Sequence, residues 1–556
     1  MDGCENRFIN DRFAVRLIVA ACLLLLALKA PMFIAAGLSR VPVGKDDASL
    51  LQAVEYSMAG NGFFIVAQVK ETDLFHVTYD YPRTQAPGTM LITRALCGAG
   101  LQVLVAYKLA RGIAALLGAA CWLLLARLFL KRIELVAFAF LIVFYFSWGW
   151  VKLGDAAMWC LAPIYFLNLL HIVNSETVTP VRLATLVLII CACEIIWLGG
   201  AYLALAAGIS LLFVGKAPLR GRLLAGGVLV LAAGVWSKTI SMAVAAYAGA
   251  GAFSPGISMG FFLFDIPMRH YLPVLKAFFA EGLGAWMPLK WAFGLFASQD
   301  AARIAALGAP VLVLSAAGAG AVKSREPGSA VLRFAAIAGI HFAMLFCVLL
   351  ALSSMFTQEG AEHAQVNGVI QADRYLYHLA PALAIFWIAA LGRIVAGPAH
   401  GAARRVLRLA VILLAGITLP WVAAHRVRSE FVLPGRTGEP AAVFVEKHRA
   451  AAGIAEYKIF DILTKDHWLL GDGRAYKNYY EPEYLALTRN SGPVYVYVVV
   501  RRNVQKMPHR PNPQLSTEHA LNMARALKLK KLKEWDRGQV ALYGGLAAPY
   551  AQGSLR

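Results

Sequence analysis

Charge is what this chain has least of. Only 15% of its 556 residues are Asp, Glu, Lys or Arg, against 59% that are hydrophobic, and the mean hydropathy is +0.61. A soluble globular domain carries about a quarter of its residues as charges, so that class is excluded. Acids are scarcer still, at 32 against 53 basic residues, for a net charge of +21. The basic excess gathers at the ends of apolar blocks. That is the pattern of positive-inside loops facing anionic headgroups, and it argues against nucleic acid as a partner. Cysteine is sparse as well: Cys4, Cys22, Cys97, Cys121, Cys160, Cys191, Cys193 and Cys347 lie in or beside apolar segments. They make neither a disulfide scaffold nor a metal framework. A Walker loop, a dinucleotide glycine fingerprint and paired transporter-like repeats are all missing, which argues against a nucleotide-driven pump. There is no Asn-x-Ser/Thr acceptor either, which for a protein with much outer surface points to a bacterial membrane.

What the chain does have is apolar blocks of about twenty residues, the length that crosses a ~30 Å hydrocarbon core as a helix. Spans are expected near 14–36, 112–130, 133–151, 156–173, 182–198, 200–214, 223–247, 303–321, 331–352, 374–396 and 404–424. The first is too long for a signal-peptide core and lacks a cleavage site, so it reads as retained. Segment 87–106, PGTMLITRALCGAGLQVLVA, is ambiguous, and counting it as a span flips every later loop. The basic residues arbitrate. If it does not cross, Arg7, Arg12 and Arg16 lie inside with Lys131–Arg132, Lys216/Arg220/Arg222, Lys323/Arg325 and Arg393/Arg404/Arg405/Arg408. The long loops 37–111, 248–302 and 353–373 then fall outside, and 87–106 is a juxtamembrane or re-entrant outer helix. The fold class expected is an α-helical polytopic membrane protein of about eleven crossings, residues 1–424, followed by an outer α/β domain, residues 425–556. In that tail VYVYVVV (494–500) and QVALYGG read as strands, 441–451 and 517–531 as helices, after the linker FVLPGRTGEP.

Two adjacent acids, Asp46 and Asp47, stand at the expected outer end of the first span, before ASLLQAVEYSMA (48–59). Leu50, Leu51, Val54 and Met58 share one face of that helix, while Gln52, Glu55 and Ser57 share another. Gly60-Asn61-Gly62 ends it, and it is expected to lie along the membrane surface. One Asp can cap the helix, at about 1 kcal/mol. The second is left over, because positions i and i+1 do not share a face. A third acid, Asp155 in WGWVKLGDAAMW, occupies the outer turn between the third and fourth spans. Glu194 and Lys238 fall within spans, as a mutual pair or as substrate contacts.

The order of these features resembles a known family. One span, an outer loop with an acidic pair before a surface helix, YDYPRTQAPGTMLI, an arginine-containing helix start, a basic inner turn and a span ending in an outer Asp are similar to the GT-C fold glycosyltransferases. These include lipid A aminoarabinose transferases and protein O-mannosyltransferases. Residues 372–383, ADRYLYHLAPAL, look like the Arg-Tyr-Leu…Pro-Ala-Leu element of their later spans. The resemblance covers residues 1–175 and 370–395 best.

The resemblance implies an inverting transfer of a sugar from a polyprenyl-phosphate carrier to a lipid, glycan or protein acceptor on the outer face of the membrane. Asp46 is then base or acceptor-orienting group, with Asp47 and Asp155 lining the same cavity. Cation is needed for the departing phosphate. Arg83, beside Tyr81 and Pro82, Arg374 and Arg269 are the candidates, and an arginine fork grips phosphate in two places. Arg83 departs from the family order, where a basic residue stands beside Pro-Pro. Some relatives hold a divalent metal. Of His76, His270, His363 and His378, all in or beside outer loops, His270 and His363 are the candidate ligands, at no metal-motif spacing. A bacterial inner-membrane location, with the tail in the periplasm or outside the cell, goes with this reading. The competing classes are a flippase or transporter of lipid-linked glycans, and a polysaccharide polymerase or ligase. The first predicts ionisable groups deep in many spans, and the second needs no acidic pair after span one.

Overall fold

The computed structural model of the chain describes residues 50–80 with gaps, 86–131, parts of 134–142, 153–197, 201–248, 330–355, parts of 378–389, 440–461 with a gap, 494–501, and 521–547 with gaps. It divides into two compact units. The first comprises Met1–Ala35, Arg111–Ile240 and Gly256–Phe431; the second comprises Ala36–Ala110, Ser241–Pro255 and Val432–Arg556. The expected spans 14–36, 303–321 and 404–424 lie outside the described residues.

In the second unit β1 (Ile65–Lys70) and β2 (Asp73–Asp80) form an antiparallel hairpin with irregular register. The helix α1 (Pro87–Gly98) follows, with Pro87 where a missing N–H costs nothing. It ends on Gly100, whose φ of +93° permits the Gly100 N–H to reach the Cys97 carbonyl and the Leu101 N–H the Leu96 carbonyl. The ambiguous segment therefore breaks in its middle. Twelve residues span about 18 Å, too short to cross. The crossing helix is α2 (Val103–Ala126), which begins nine residues before the expected 112 because the break falls at Gly100.

The first unit is built on α2, α3 (Leu153–Asn174), α4 (Pro180–Ile196), α5 (Ala201–Val214), α6 (Leu219–Ala248) and α7 (Ala330–Met355). Helices α2, α3 and the stretch Leu219–Val244 are long and apolar enough to cross a membrane. The outward residues of the first unit, Leu124, Leu188, Phe213, Leu231 and Val235 among them, are exposed apolar side chains, a surface suited to lipid and not to water. Inside, Trp122, Trp159, Tyr165, Phe166 and Phe334 fill the core. Small residues let helices approach: a Cβ on Gly118 meets the Trp159 ring at 2.8 Å and the Cys160 backbone at 3.0 Å, and Gly208 faces Gly226 across α5 and α6.

Pro163 sits inside α3 and has no N–H to give the Trp159 carbonyl four residues back. The indole N–H of Trp122, on α2, donates to that carbonyl at 3.0 Å. The freed acceptor of one helix has become the link to another.

The tail places α8 (Pro440–Ala451), β3 (Tyr457–Asp461), β4 (Val494–Arg501), β5 (Lys530–Trp535) and β6 (Val540–Ala547) in the second unit, with sheet order β3-β4-β6-β5. Strand β4 is central, parallel to β3 and antiparallel to β6, which explains its unbroken run of buried valines. Val445 of α8 packs on Tyr497, Val499 and Leu542, and His448 Nδ1 lies 2.8 Å from the Tyr497 hydroxyl. Partial burial pushes the Tyr495 phenol up from its usual pKa. The edge strand β5 blunts itself with exposed Lys530, Lys531, Lys533 and Glu534, the second and fourth of which pair. Helix α8 agrees with the sequence. The helix expected over 517–531 stops short: Lys528, at φ +52°, closes it through Lys528 N–H to Arg525 and Leu529 N–H to Ala524, and β5 starts at once. A lysine holding the conformation usual for glycine is what hides this boundary.

Replacing Trp122 by Phe is expected to destabilise the protein by about 1–3 kcal/mol, the cost of a buried acceptor left without its donor. Pro163→Ala, which restores the intrahelical donor, is expected to shrink that loss. Thermal unfolding of the two single variants and the double variant in detergent checks the coupling.

Candidate functional site

Of the three acids expected at the site, Asp155 is the one among the described residues, and it lies in the first turn of α3. Its side chain is buried, at 7% exposure, between Leu153 and the run Ala156, Ala157, Met158 and Trp159. Carboxylates are rarely buried without purpose, and a first-turn position sets this one at the positive end of the helix. Trp159 stands one turn below on the same side, under Gly118 and tied to Trp122. The α2–α3 clamp thus fixes the height and rotation of Asp155. The companions expected beside it, Asp46, Asp47, Tyr81, Arg83, Arg269 and Arg374, lie outside the described residues, as do the candidate metal ligands His270 and His363. Among the described residues no group of three His, Cys, Asp or Glu stands ready for a metal ion.

The helix after the acidic pair is present where described, and Gly60 and Gly62, at φ +86° and +81°, end it. Its exposure differs from the surface helix expected. Leu50, Leu51, Ala53 and Val54 are buried, Met58 is outward, and Ser57, assigned to the polar face, is buried. Ser57 takes a hydrogen bond at 2.5 Å from Nε of Arg94 on α1, so packing against α1 overrides the surface pattern.

Polar groups that the sequence reading passed over lie within the first unit. His341, fully buried, directs Nδ1 to the Ile337 carbonyl at 2.7 Å. A carbonyl only accepts, so that nitrogen carries the proton and Nε2 accepts the Tyr165 hydroxyl at 2.6 Å; the same hydroxyl is 2.9 Å from the Leu203 carbonyl. The Tyr165 hydroxyl thereby joins α3, α5 and α7. A lone histidine in the run AGIHFAMLF was the available signal. His378, from the Arg-Tyr-Leu-like stretch, is buried against the rings of Trp197 and Tyr202 and meets the Tyr202 hydroxyl through Nε2. It packs as a core aromatic and does not sit in an open loop. Glu194 receives the Ser237 hydroxyl at 3.4 Å, while Lys238 is exposed on the helix surface, so they do not form the pair considered above. Arg333 donates to Asn174 at 2.6 Å, and the Lys216 N–H to Val173, tying the ends of α3, α5 and α7.

No family model and no curated protein matches the chain. Among solved structures it is similar to the crystal structure of ArnT from Cupriavidus metallidurans bound to undecaprenyl phosphate. The identity there is 15% and the TM-score 0.48, over 95% of this chain and 97% of that one. The apo state of the same protein gives 16% and 0.45, over 94% and 97%. The apo oligosaccharyltransferase of Archaeoglobus fulgidus gives 12% and 0.34, over 76% of this chain and 57% of that one. At such scores the chemistry has to be argued from this chain's own residues.

Tyr165→Phe leaves Nε2 of His341 without its hydroxyl donor in an apolar core. A loss of about 1–3 kcal/mol is expected, read as a lower unfolding temperature in detergent.

Proposed function

We propose that the chain is an inverting glycosyltransferase that moves a sugar from a polyprenyl-phosphate carrier to an acceptor at the outer face of a bacterial inner membrane. Residues 1–424 are the transfer module and 425–556 an outer, periplasmic domain. The observation that carries the reading is Asp155: a buried carboxylate at the first turn of a 22-residue apolar helix, where an ionisable group is a functional candidate by default. The second unit collects residues 36–110, 241–255 and 432–556, which include most of loop 37–111 and of the tail that the charge pattern assigns to the outside, while most of loop 248–302 and loop 353–373 belong to the first unit. The basic turns at Arg127–Lys131 and Lys216–Arg222 belong to the other unit.

The chemistry follows from the donor. Its leaving group is a lipid phosphate, already a weak base, so no strong general acid is required. The acceptor oxygen or nitrogen forms its bond to the anomeric carbon as the bond from that carbon to the phosphate oxygen breaks. The electron pair departs with the polyprenyl phosphate, and the acceptor proton passes to a carboxylate. A single displacement inverts the anomeric centre. Asp46 takes or orients the acceptor proton, while Asp47 and Asp155 shape the same cavity. Arg83, Arg374 and Arg269 supply positive charge to the departing phosphate, and Tyr81 lines its place.

Asp46→Asn and Asp155→Asn are each expected to lower transfer by about a hundredfold or more, with unfolding temperature unchanged. The readout is sugar transfer in membranes at matched protein level. Near-normal transfer in both variants overturns the mechanism.

A further inference from the structure

Helix α1 is amphipathic in the wrong sense for water. Its buried side carries Gly88, Thr89, Met90, Thr93 and Cys97, with the two threonine hydroxyls spent on the Ala86 and Thr89 carbonyls at 2.7 and 2.8 Å. Its outward side shows Leu91 at 53% and Ile92 at 38% exposure, with Ala95 and Gly98 on the same stripe. Water does not select that arrangement. A bilayer does, and α1 is joined by one glycine turn to α2, an apolar helix long enough to cross.

At the edge of this stripe stands Arg94. A snorkelling arginine at a membrane surface has a guanidinium free to wander. This one is held: Nε donates to Ser57 Oγ at 2.5 Å, and Ser57 is 7% exposed. The tether uses one of the five guanidinium N–H groups. Among the described residues Arg94 has no other hydrogen-bond or ion-pair partner, and α1 contains no acid. The four terminal N–H groups therefore point from a fixed base beside an outward apolar stripe. That is the arrangement for gripping a phosphate whose hydrocarbon lies along the helix.

We propose that α1 is the docking element for the polyprenyl-phosphate carrier, with the isoprenoid chain along Leu91, Ile92 and Ala95 and the phosphate on Arg94. The stripe is one helix wide, which suits a single unbranched isoprenoid chain better than the paired acyl chains of a phospholipid. A terminal phosphate also offers the fork more charged oxygens than a phospholipid diester does. Ser57 belongs to the helix that follows Asp46 and Asp47, so its bond to Arg94 ties the carrier's phosphate to the element behind the acids. This inference rests on the transferase reading and names a carrier contact in it beyond Arg83, Arg374 and Arg269.

The test is binding, not turnover. The purified full chain in detergent is titrated with undecaprenyl phosphate, undecaprenol and phosphatidylglycerol, with bound lipid counted by native mass spectrometry. The wild-type chain is expected to prefer undecaprenyl phosphate over undecaprenol by about tenfold or more, the scale of a charge-assisted bond. Arg94→Ala should remove most of that preference. Ser57→Ala, which keeps the charge and frees the fork, should weaken it by a smaller factor. Replacing Leu91 and Ile92 by Ser should weaken phosphate and alcohol forms alike. Ser57→Ala also carries the test if Arg94→Ala does not fold, as judged by thermal unfolding. Unchanged preference in the Arg94 or Ser57 variants overturns the proposal, as does equal competition by phosphatidylglycerol, which would make α1 a bulk lipid anchor. A chain that binds through Arg94 yet transfers no sugar supports this docking and refutes the transferase reading.

Discussion

In hydrocarbon an unpartnered backbone carbonyl costs several kcal/mol, and no water is there to relieve it. Pro163 creates one such carbonyl, on Trp159, in the middle of α3. The Trp122 indole answers it from α2, and the same spot is where Gly118 lets the Trp159 ring come close. Much of the first unit depends on this demand that polar groups be satisfied inside the protein. His341 spends both ring nitrogens, Tyr165 bridges two helices, and Arg222 reaches the Leu212 carbonyl at the end of α5. Thr185, Ser210 and Thr239 turn their hydroxyls to carbonyls one turn back in their own helices.

The same demand gives the site its rigidity. Asp155 lies one turn above the Trp159 clamp, so its carboxylate is placed by interactions made deeper in the helix pair. Catalytic groups tolerate little looseness, and a group set on a helix anchored below is better placed than one on a loop. Arg94 and Ser57 play the corresponding part for the helix behind the acidic pair. Both anchors are single hydrogen bonds between segments far apart in sequence.

Much of this was legible from residues alone. The apolar blocks, the terminator Gly60-Asn61-Gly62, α8 and the central strand β4 follow from periodicity, glycine and β-branched density, all local signals. What escaped is non-local. Ser57 looked solvent-facing because nothing in its own helix reveals Arg94, thirty-seven residues on. His378 looked like a loop residue because its partners, Trp197 and Tyr202, come from another part of the chain. The helix ending at Lys528 was overrun because its stop uses a lysine and no glycine. Asp155, expected in the turn between the third and fourth spans, lies in the first turn of α3 and is buried.

In the proposed topology residues 37–100 and the tail share one side of the membrane, opposite the basic turns. Single cysteines placed at Gly100, Gly453 and Arg127, in a chain stripped of its eight native cysteines, read this directly. A membrane-impermeant thiol reagent added to the outer side of sealed cells or oriented vesicles is predicted to label positions 100 and 453 and to spare 127 until the membrane is opened. Labelling of 127 with 100, or of 453 without 100, contradicts the account.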